Sequence, residues 1–467
     1  MTKFSDLQST LENSIVTGRM KEGDKLPAIR QLVDQFGYSK NTVIRALNEL
    51  EANGFIVSKP RLGYFVSKPH TTQMLPEMKH ISMVPSEVSL PEVFHTIMAK
   101  GAAFDLTPHT EQSYQPSHQI ELNRCLSRAQ KLNAENKAMY YDRPDGELSL
   151  KQQIAARYKS RGLLLNTDYL CMTSGCQNAL FLALSSRCQP GDNVAVESPG
   201  FYGVLQLLEQ LKLNIIEIPA SPRTGMDLEK FKEVLEDHKI EACIVTPNFA
   251  TPTGASMAED AKQELVKLAN HHEITLIEDD IYGELGFHQE SKPLAYYDTE
   301  NRVILCGSFS KSLSRDLRVG WVYNQVDFNK IVRMKLSVQL AGNKAVQQGV
   351  ADFLRTGHYR RHLAAFKRSL LEQRNQLITA LLQYWPSELK YTLPQGGLCL
   401  WVELDTKLDC DKLYARMLEH QIILTPGSLF SPSKNYQNCL RLSFNHPIVG
   451  ERLLAIKRIG KELRKSF

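Results

Sequence analysis

The sequence predicts two folded parts: a small three-helix domain with a two-stranded wing, then a large α/β domain with a smaller α+β lobe. The chain has 467 residues, which is too long for one hydrophobic core. Beyond about residue 96, short apolar runs alternate with helical patterns, as in a mostly parallel sheet covered by helices. Residues 1–68 show a different pattern, with three short helices followed by two strands.

Composition and charge limit the class of protein. The chain is 42% hydrophobic and 23% charged, with a net charge of +5, as in ordinary globular proteins. Residues 1–68 hold ten lysines or arginines against seven acidic residues, a mild basic bias that is compatible with nucleic acid. Nine cysteines without a Cys-x-x-Cys pair indicate reduced thiols. Because no signal peptide or long apolar run is present, we expect a cytoplasmic protein without a membrane span.

The helices of residues 1–68 are predicted from apolar spacing and from their start and stop signals. Gly18 ends the first helix, Pro27 can start the second, and Ser39 can cap the third. Residues 55–57 and 64–66 are predicted strands around a turn at 60–63. The apolar positions expected to share the inward faces of these helices are Leu7, Leu11, Ile15, Val16, Ile29, Leu32, Val33, Phe36, Val43, Leu47 and Leu50.

Polar and basic residues collect at the start of the third predicted helix. That end can enter the major groove of DNA, and its N–H dipoles favour phosphate. Arg30 precedes it, and Lys59 and Arg61 flank the wing turn, where they can touch phosphate or the minor groove. The residues expected to contact DNA are Arg30, Ser39, Lys40, Asn41, Thr42, Arg45, Lys59 and Arg61. Double-stranded DNA is therefore the predicted partner; a small helical domain used only for dimerisation is the alternative.

Residues 69–95 are rich in proline and predict a linker, partly extended and partly wrapped on the larger domain, which spans 96–467. A long helical stretch and two late strands, at 396–401 and 439–444, predict the smaller lobe over about 341–467. The strands predicted for the main sheet are 193–197, 214–218, 242–246, 275–279 and 303–306. Ligands of such sheets bind at the carboxyl ends of the strands.

Lys311 follows Ser308 and Ser310 and stands seven residues before Arg318. An amine in this setting can form an imine with an aldehyde cofactor. The hydroxyl groups and the guanidinium can hold the phosphate of that cofactor. The pattern therefore predicts a cofactor pocket around Lys311.

Other segments supply what such a cofactor needs. Asp279 can keep a ring nitrogen protonated, and Tyr282 can donate to a ring hydroxyl. Phe201 can lie against the ring, and Arg441 can hold a ligand carboxylate. Backbone N–H groups at a helix start form an anion site over Ser174, Gly175, Cys176 and Gln177.

Each of these residues also has a simpler interpretation. Phe201 taken singly fits a core residue, Arg441 an ordinary surface or ion-pair residue, and Asp279 a solvated turn. His271 and His272 are adjacent and point to different sides of a helix, so we expect no metal site.

Two stretches resemble known families. Residues 5–67 resemble the winged helix-turn-helix of the GntR family, through Gly-Asp-Lys-Leu-Pro-Ala-Ile-Arg at 23–30, Ser-Lys-Asn-Thr-Val at 39–43 and the wing at 54–66. Residues from about 100 to 467 resemble the fold-type-I aminotransferases of class I and II, through the motifs around Lys311, Asp279 and Arg441. The joined chain resembles the MocR subfamily of GntR regulators.

This resemblance implies a three-layer α/β/α large domain with pyridoxal 5′-phosphate as cofactor and Lys311 as the catalytic lysine. It also implies that Tyr141, in a Tyr-x-x-Pro-x-Gly stretch, reaches the phosphate of a neighbouring subunit in a homodimer. Two differences concern the pocket. Thr251 stands where the family has the Asn that binds the ring hydroxyl, and Arg315-Asp316 replaces a Pro-Gly pair. In the third helix of residues 1–68, Ile44 stands where members of the GntR family commonly have an Arg, and Arg45 is the next residue.

Three functions are compatible with these motifs. The first is a transcriptional regulator that binds pyridoxal 5′-phosphate and senses an amino compound or the cofactor itself. The alternative is an active aminotransferase with an ancillary DNA-binding domain. The third is a fold that has lost the cofactor and only dimerises; the intact Lys311, Asp279, Tyr282 and Arg318 argue against it.

Overall fold

The computed structural model describes residues 3–59, 62–67, 75–88, 94, 97, 106–107, 117–135, 141–288 and 290–465. The chain divides into two compact units, 1–75 with 287–289 and 76–286 with 290–467. Arg61 of the predicted wing turn and residues 69–74, 89–93 and 95 of the predicted linker lie outside the described residues.

The first unit consists of three helices and a two-stranded antiparallel wing. Its elements are α1 (Lys3–Val16), α2 (Ile29–Phe36), α3 (Lys40–Ala52), β1 (Ile56–Lys59) and β2 (Gly63–Val66). The predicted core is confirmed for Leu7, Leu11, Ile15, Leu32, Val43, Leu47 and Leu50, which are buried in one apolar cluster. Ile29, Val33 and Phe36 are only partly buried against this cluster, and the side chain of Val16 lies outside the described part of the structure. This small core joins the three helices to the wing.

The helix starts of this unit are set by local hydrogen bonds. Ser39 caps α3 as predicted, with its hydroxyl oxygen accepting from the Thr42 N–H at 3.2 Å. The prediction for Pro27 was wrong by two residues, since α2 begins at Ile29. The reason is that the Leu26 N–H donates to the Tyr64 carbonyl at 2.8 Å, which keeps that segment extended beside the wing.

The second unit contains the remaining elements. Its helices are α4 (Ser117–Glu135), α5 (Leu148–Ser160), α6 (Cys176–Arg187), α7 (Tyr202–Gln210), α8 (Leu228–Asp237), α9 (Glu259–His271), α10 (Phe328–Val338), α11 (Lys344–Arg355), α12 (His358–Tyr384), α13 (Cys410–Leu418) and α14 (Gly450–Lys465). Its strands are β3 (Leu170–Thr173), β4 (Asn193–Ser198), β5 (Asn214–Ser221), β6 (Gly225–Met226), β7 (Ala242–Val245), β8 (Thr275–Asp279), β9 (Val303–Ser308), β10 (Gly320–Tyr323), β11 (Lys390–Tyr391), β12 (Cys399–Glu403) and β13 (Cys439–Ser443).

The large sheet has eight strands in the order β3-β10-β9-β8-β7-β4-β5-β6. All five strands that the sequence predicted are present, and they run parallel to one another from β9 to β5. β10 pairs antiparallel with both β3 and β9, and β6 pairs antiparallel with β5. The predicted mostly parallel sheet is therefore confirmed, with an antiparallel strand inserted near one edge.

Helices cover both faces of this sheet, because successive strand residues point to opposite sides. Ala195 and Leu276 belong to the apolar cluster on one face, and Val194 and Ile277 to the cluster on the other. The strands are buried on both faces, which explains their nearly continuous apolar sequence.

The smaller lobe contains the antiparallel sheet β11-β12-β13 and the long helix α12. The sequence predicted a strand from Gly396, but β12 begins at Cys399. Gly397 has a φ of +73°, which lies outside the strand region and turns the chain before the strand begins.

Residues 76–88 of the proline-rich segment belong to the second unit and pack on the rest of it. Ser86 and Ile215 exchange two backbone hydrogen bonds, of 3.0 and 2.9 Å. The Glu77 N–H donates to Glu403 Oε2 at 2.8 Å, and Lys79 Nζ lies 3.0 Å from Glu403 Oε1. Since Glu403 ends β12 and Ile215 lies on β5, this segment contacts both the smaller and the larger sheet.

Two further sequence expectations concern cysteines and membranes. All nine cysteines are free and buried, as expected for reduced thiols. No helix among the described residues is long and apolar enough to cross a membrane.

We expect Glu403→Gln to lower the free energy of unfolding by about 2 kcal/mol, since it removes a buried carboxylate that Lys79, Lys390 and a backbone N–H all contact. Urea denaturation measures this loss, and trypsin should cleave after Lys79 faster in the variant. Glu77→Gln is the matched control, because its exposed carboxylate pairs with Lys390 alone and its removal should change little. Equal losses in both variants would contradict the role of Glu403.

Candidate cofactor-binding site

Strand register brings the predicted cofactor residues together. Gly320, the first residue of β10, pairs with Thr173 at the end of β3 and with Ser308 at the end of β9. The antiparallel β10 therefore begins at the edge where its neighbours end. As a result, Arg318 lies beside the segments that follow β3 and β9, although it is far from the first of them in sequence.

The predicted phosphate side is built from the start of α6 and from Arg318. The Arg318 guanidinium donates to the Ser174 carbonyl at 2.6 Å. Gly175 caps α6 with a φ of +102°, and a Cβ there would lie 2.5 Å from Arg318 Nη2. Only glycine leaves room for this approach. Ser308 Oγ accepts from the Ser310 N–H at 3.1 Å and donates to the Val319 carbonyl at 2.8 Å, which fixes the loop before Lys311.

A cavity of about 280 Å³ opens at this point, between Ser174 and Arg318. Ser174 Oγ donates to Gln339 Oε1 at 3.0 Å across it. The rest of its polar lining comes from Thr173, Asp316, Lys335, Asn343 and Gln347. Lys335, Gln339 and Gln347 come from α10, α11 and the loop between them and carry no local motif, so the sequence did not predict them. Ser174, just before the start of α6, and the Arg318 guanidinium are the lining groups suited to a phosphate group.

Asp279 ends β8 and is buried, so the interpretation as a solvated turn is wrong. Its Oδ1 accepts from the Cys176 thiol at 3.0 Å and from the Ile281 N–H at 3.2 Å. Burial raises the pKa of Asp279 to about 6. A protonated ring nitrogen beside this carboxylate would supply the charge that burial otherwise leaves uncompensated, so the residue fits the predicted cofactor.

The neighbours of Asp279 face elsewhere. Glu278 accepts the backbone N–H groups of Leu294 and Ala295, at 2.6 and 2.9 Å. Asp280 forms a buried ion pair with Arg161. Each of the three consecutive acids therefore has its own partners, and Asp279 is the one that accepts a hydrogen bond from α6.

Lys311 is half-buried on the turn after β9. Burial, together with the guanidinium groups of Arg441 and Arg315, lowers its pKa to about 7. Near neutral pH, a large fraction of this amine is therefore uncharged. An uncharged amine is the form that attacks a carbonyl carbon.

Tyr282 and Phe201 lie on the loops that follow β8 and β4. Tyr282 is buried, and burial raises its pKa well above 10, so its hydroxyl keeps the proton that it could donate. Phe201 is partly buried at the N-cap of α7 and packs against Tyr202, with ring centroids 4.8 Å apart.

The side chains of Gln177 and Thr251 are engaged with other protein groups. The side-chain amide of Gln177 donates to the Gly203 carbonyl at 2.6 Å. The part of Gln177 that can contribute to the predicted anion site is therefore its backbone N–H at the start of α6. Thr251 Oγ1 lies 3.6 Å from Cys399 Sγ. Asn248, the other amide near this motif, accepts from buried Lys262 at 2.6 Å and donates to the Lys292 carbonyl.

Arg441 lies on β13 and is buried, so the interpretation as an ordinary surface residue is wrong. Its guanidinium lies 5.5 Å from the Phe430 ring centroid and 3.5 Å from Thr425 Oγ1. It also lowers the pKa of Lys311, so the two cationic groups are close neighbours. A ligand carboxylate at this place would find the Arg441 guanidinium as its positive partner.

The remaining predicted residues lie on exposed surfaces. Tyr141 is 78% exposed. In the first unit, Lys59 Nζ lies 4.4 Å from the Phe65 ring centroid. Thr42 is partly buried beside its capping partner, whereas the other predicted contacts are exposed, namely Arg30, Ser39, Lys40, Asn41, Arg45 and Lys59. Arg61 lies outside the described residues.

Known protein families match both units. The profile of aminotransferase class I and II matches residues 111–450, and the profile of bacterial regulatory proteins of the gntR family matches residues 5–66. A transcriptional regulator of Escherichia coli, YjiR, described as uncharacterized and of HTH type, is 34% identical over 473 residues, covering all of both chains. The chain belongs to the MocR subfamily of GntR regulators.

Solved structures similar to the larger part of this MocR regulator are aminotransferases. Kynurenine aminotransferase of Pyrococcus horikoshii superposes with a TM-score of 0.73 at 26% identity, covering 82% of this chain and 96% of its own. LysN, the alpha-aminoadipate aminotransferase of Thermus thermophilus, gives a TM-score of 0.69 at 27% identity, covering 74% and 89%. The predicted fold class and the predicted cofactor type, pyridoxal 5′-phosphate, are thereby confirmed for the MocR regulator.

The rate at which Lys311 captures added pyridoxal 5′-phosphate should rise with pH and reach half its plateau near pH 7, because only the uncharged amine reacts. Absorbance at the band of the bound cofactor measures this rate, and Lys311→Ala should abolish it. In Arg441→Gln the midpoint should move to higher pH, since a neighbouring positive charge is lost. A midpoint near pH 10 in the parent protein would contradict a depressed amine pKa.

Proposed function

We propose that this MocR regulator senses a carboxylate-bearing amino compound through pyridoxal 5′-phosphate held at Lys311, and that the captured compound changes DNA binding. One observation carries the proposal: a half-buried amine of lowered pKa lies near a buried carboxylate and a buried guanidinium, in a chain that also has a gntR-family domain. In this proposal residues 1–68 read DNA, 69–95 link, and 96–467 bind the cofactor.

The cofactor would be held at three places. Its phosphate would meet the start of α6, from Ser174 to Gln177, together with Ser308, Ser310 and Arg318. Its ring nitrogen would face Asp279, its ring hydroxyl Tyr282 and Thr251, and its ring face Phe201. When bound, pyridoxal 5′-phosphate supplies an aldehyde that captures amines and a ring that withdraws electrons.

Each of three residues in the pocket would have a separate role. Asp279 would hold a proton at the ring nitrogen, and Lys311 would accept or donate a proton at its Nζ once an incoming amine displaces it. Arg441 would orient the carboxylate of the ligand. Arg441 is buried next to Thr425 and Phe430, so a ligand carboxylate there would meet its guanidinium away from water, and an amine without a carboxylate would lack this charge-assisted contact.

Thr251 favours sensing over turnover. The Thr251 hydroxyl is 3.6 Å from Cys399 Sγ, and its side chain is shorter than the Asn of the aminotransferase motif. Fewer donors at the ring hydroxyl weaken the control of the cofactor's electronics, which repeated turnover needs more than a single capture does. Slow aminotransferase activity is the alternative, and the nearly complete set of pocket residues supports it.

A second copy of the chain is part of this proposal. Tyr141 is 78% exposed, and the apolar side chains of Val338 and Leu340 are 64% and 49% exposed near the cavity residue Gln339. A partner subunit would cover these groups and bring its own Tyr141 to the phosphate. Two readers in a dimer would bind two half-sites of DNA.

Sensing and turnover differ in stoichiometry. With purified protein and pyridoxal 5′-phosphate, an amino acid should give one spectral change per subunit, and the affinity for operator DNA should change by at least about tenfold, equivalent to about 1.4 kcal/mol of coupling. The matching amine without a carboxylate is the control and should act much more weakly. Release of many keto-acid equivalents per subunit without any change in DNA affinity would instead establish the enzyme.

Arg30→Ala should weaken DNA binding by about tenfold and reduce its salt dependence by about one counterion, since Arg30 is exposed on α2, the helix that precedes the DNA-reading helix α3. The absorbance of bound cofactor should not change. Arg19→Ala is the matched control, because Arg19 is also an exposed cation of this unit but precedes α2. If both variants lose the same affinity, the effect is one of total charge and not of a reader surface.

A further inference from the structure

Cys176 connects the start of α6, where the phosphate is expected, with Asp279, which lies far from it in the sequence. It is the first residue of α6, directly after Gly175 of the predicted phosphate cradle. Its thiol lies 3.0 Å from Asp279 Oδ1, the carboxylate expected to meet the ring nitrogen. Both side chains are buried, at 5% and 4% exposure. A hydrogen bond in such a dry place is electrostatically stronger than one in water.

The positions of its two hydrogen-bond donors orient the Asp279 carboxylate. The Cys176 thiol and the Ile281 N–H, the two hydrogen-bond donors that the described residues offer to Asp279, both reach Oδ1. Donors to a carboxylate favour its ionised form and hold it in one rotamer. Oδ2 is then the oxygen that a ring nitrogen would meet.

We propose that Cys176 is a positioning residue that keeps Asp279 ionised and turned so that Oδ2 receives the N–H of the cofactor ring. This inference rests on the proposed function and deepens it. It assigns to a cysteine at a helix start the task of linking the phosphate cradle to the ring-nitrogen carboxylate.

Packing alone does not account for this cysteine. Cys171 and Cys188 lie in the same apolar cluster as Cys176. The thiol of Cys171 points to the Met172 carbonyl at 3.7 Å, and Cys188 lies at the other end of α6. Among these three, Cys176 is the one whose thiol meets an acid.

Several titratable groups surround Asp279 and belong in any account of its pH dependence. Cys176 of α6 and Cys306 of β9 flank it, Lys311 faces it from the turn after β9, and Asp280 and Tyr282 follow it on its own loop. Burial raises the pKa of both thiols well above 9, so they stay protonated over the range of interest. Lys311 is common to parent and variants, and it forms no bond with pyridoxamine 5′-phosphate, which has no aldehyde.

The test compares full-length Cys176→Ala, Cys176→Ser and the parent, each freed of cofactor. The control is Cys188→Ala, a buried cysteine at the opposite end of the same helix. Calorimetric titration with pyridoxamine 5′-phosphate at pH 6 and pH 8.5 gives the dissociation constants, and thermal melting checks folding.

Loss of the thiol donor raises the pKa of Asp279, so at pH 6 more of the carboxyl is protonated and binding weakens. We expect Cys176→Ala to bind about fivefold more weakly than the parent at pH 6 and within about twofold at pH 8.5, where Asp279 is ionised in both. Cys176→Ser keeps a donor and should match the parent within about twofold at both pH values, as should Cys188→Ala.

The outcomes separate the two proposals. A parent that binds neither pyridoxal nor pyridoxamine 5′-phosphate overturns the proposed function and this inference together. A parent that binds, with Cys176→Ala equal to it at pH 6 or weakened equally at both pH values, overturns the inference alone. A serine variant as weak as the alanine variant does the same, because the effect would then follow packing and not the donor.

Discussion

Burial of opposite charges at one edge of the large sheet is the constraint on which the site depends. Lys311 and Asp279 each interact with the other electrostatically, and burial shifts both pKa values toward neutrality, to about 7 and about 6. Burial is the main cause of both shifts, and each group favours the charged form of the other. The same burial makes the amine nucleophilic and leaves the carboxylate ready for a ring nitrogen.

The fold provides this edge by combining parallel and antiparallel strands. Parallel strands deliver Asp279 and Ser308 at their carboxyl ends, and the antiparallel β10 begins between Thr173 and Ser308. That single reversal places Arg318 at the helix start after β3. A fully parallel sheet would have put the start of β10 at the opposite edge.

The proposed coupling between the cofactor pocket and the DNA-binding domain needs a physical connection, and β12 is suited to provide one. Cys399 begins this strand and contacts Thr251 in the pocket, while Glu403 ends it and holds Glu77 and Lys79 of the segment that follows the first unit. A change of pocket occupancy that shifts β12 would act on that segment through Glu403. Such a shift must carry free energy, because a ligand changes an equilibrium only by its differential affinity for the two states.

Local sequence determined much of this protein. Apolar spacing predicted the helices of the first unit and the five parallel strands, and short motifs predicted Lys311, Asp279 and the helix start at 174–177, since each depends on neighbours a few residues away. Tertiary structure alone decided that Arg441 is buried, that Gln177 turns its amide to Gly203 and that Lys335 and Gln339 line the cavity. It also decided that the Cys176 thiol meets Asp279. These contacts join residues about a hundred positions apart or more in several cases, and only strand register and helix packing bring such residues together.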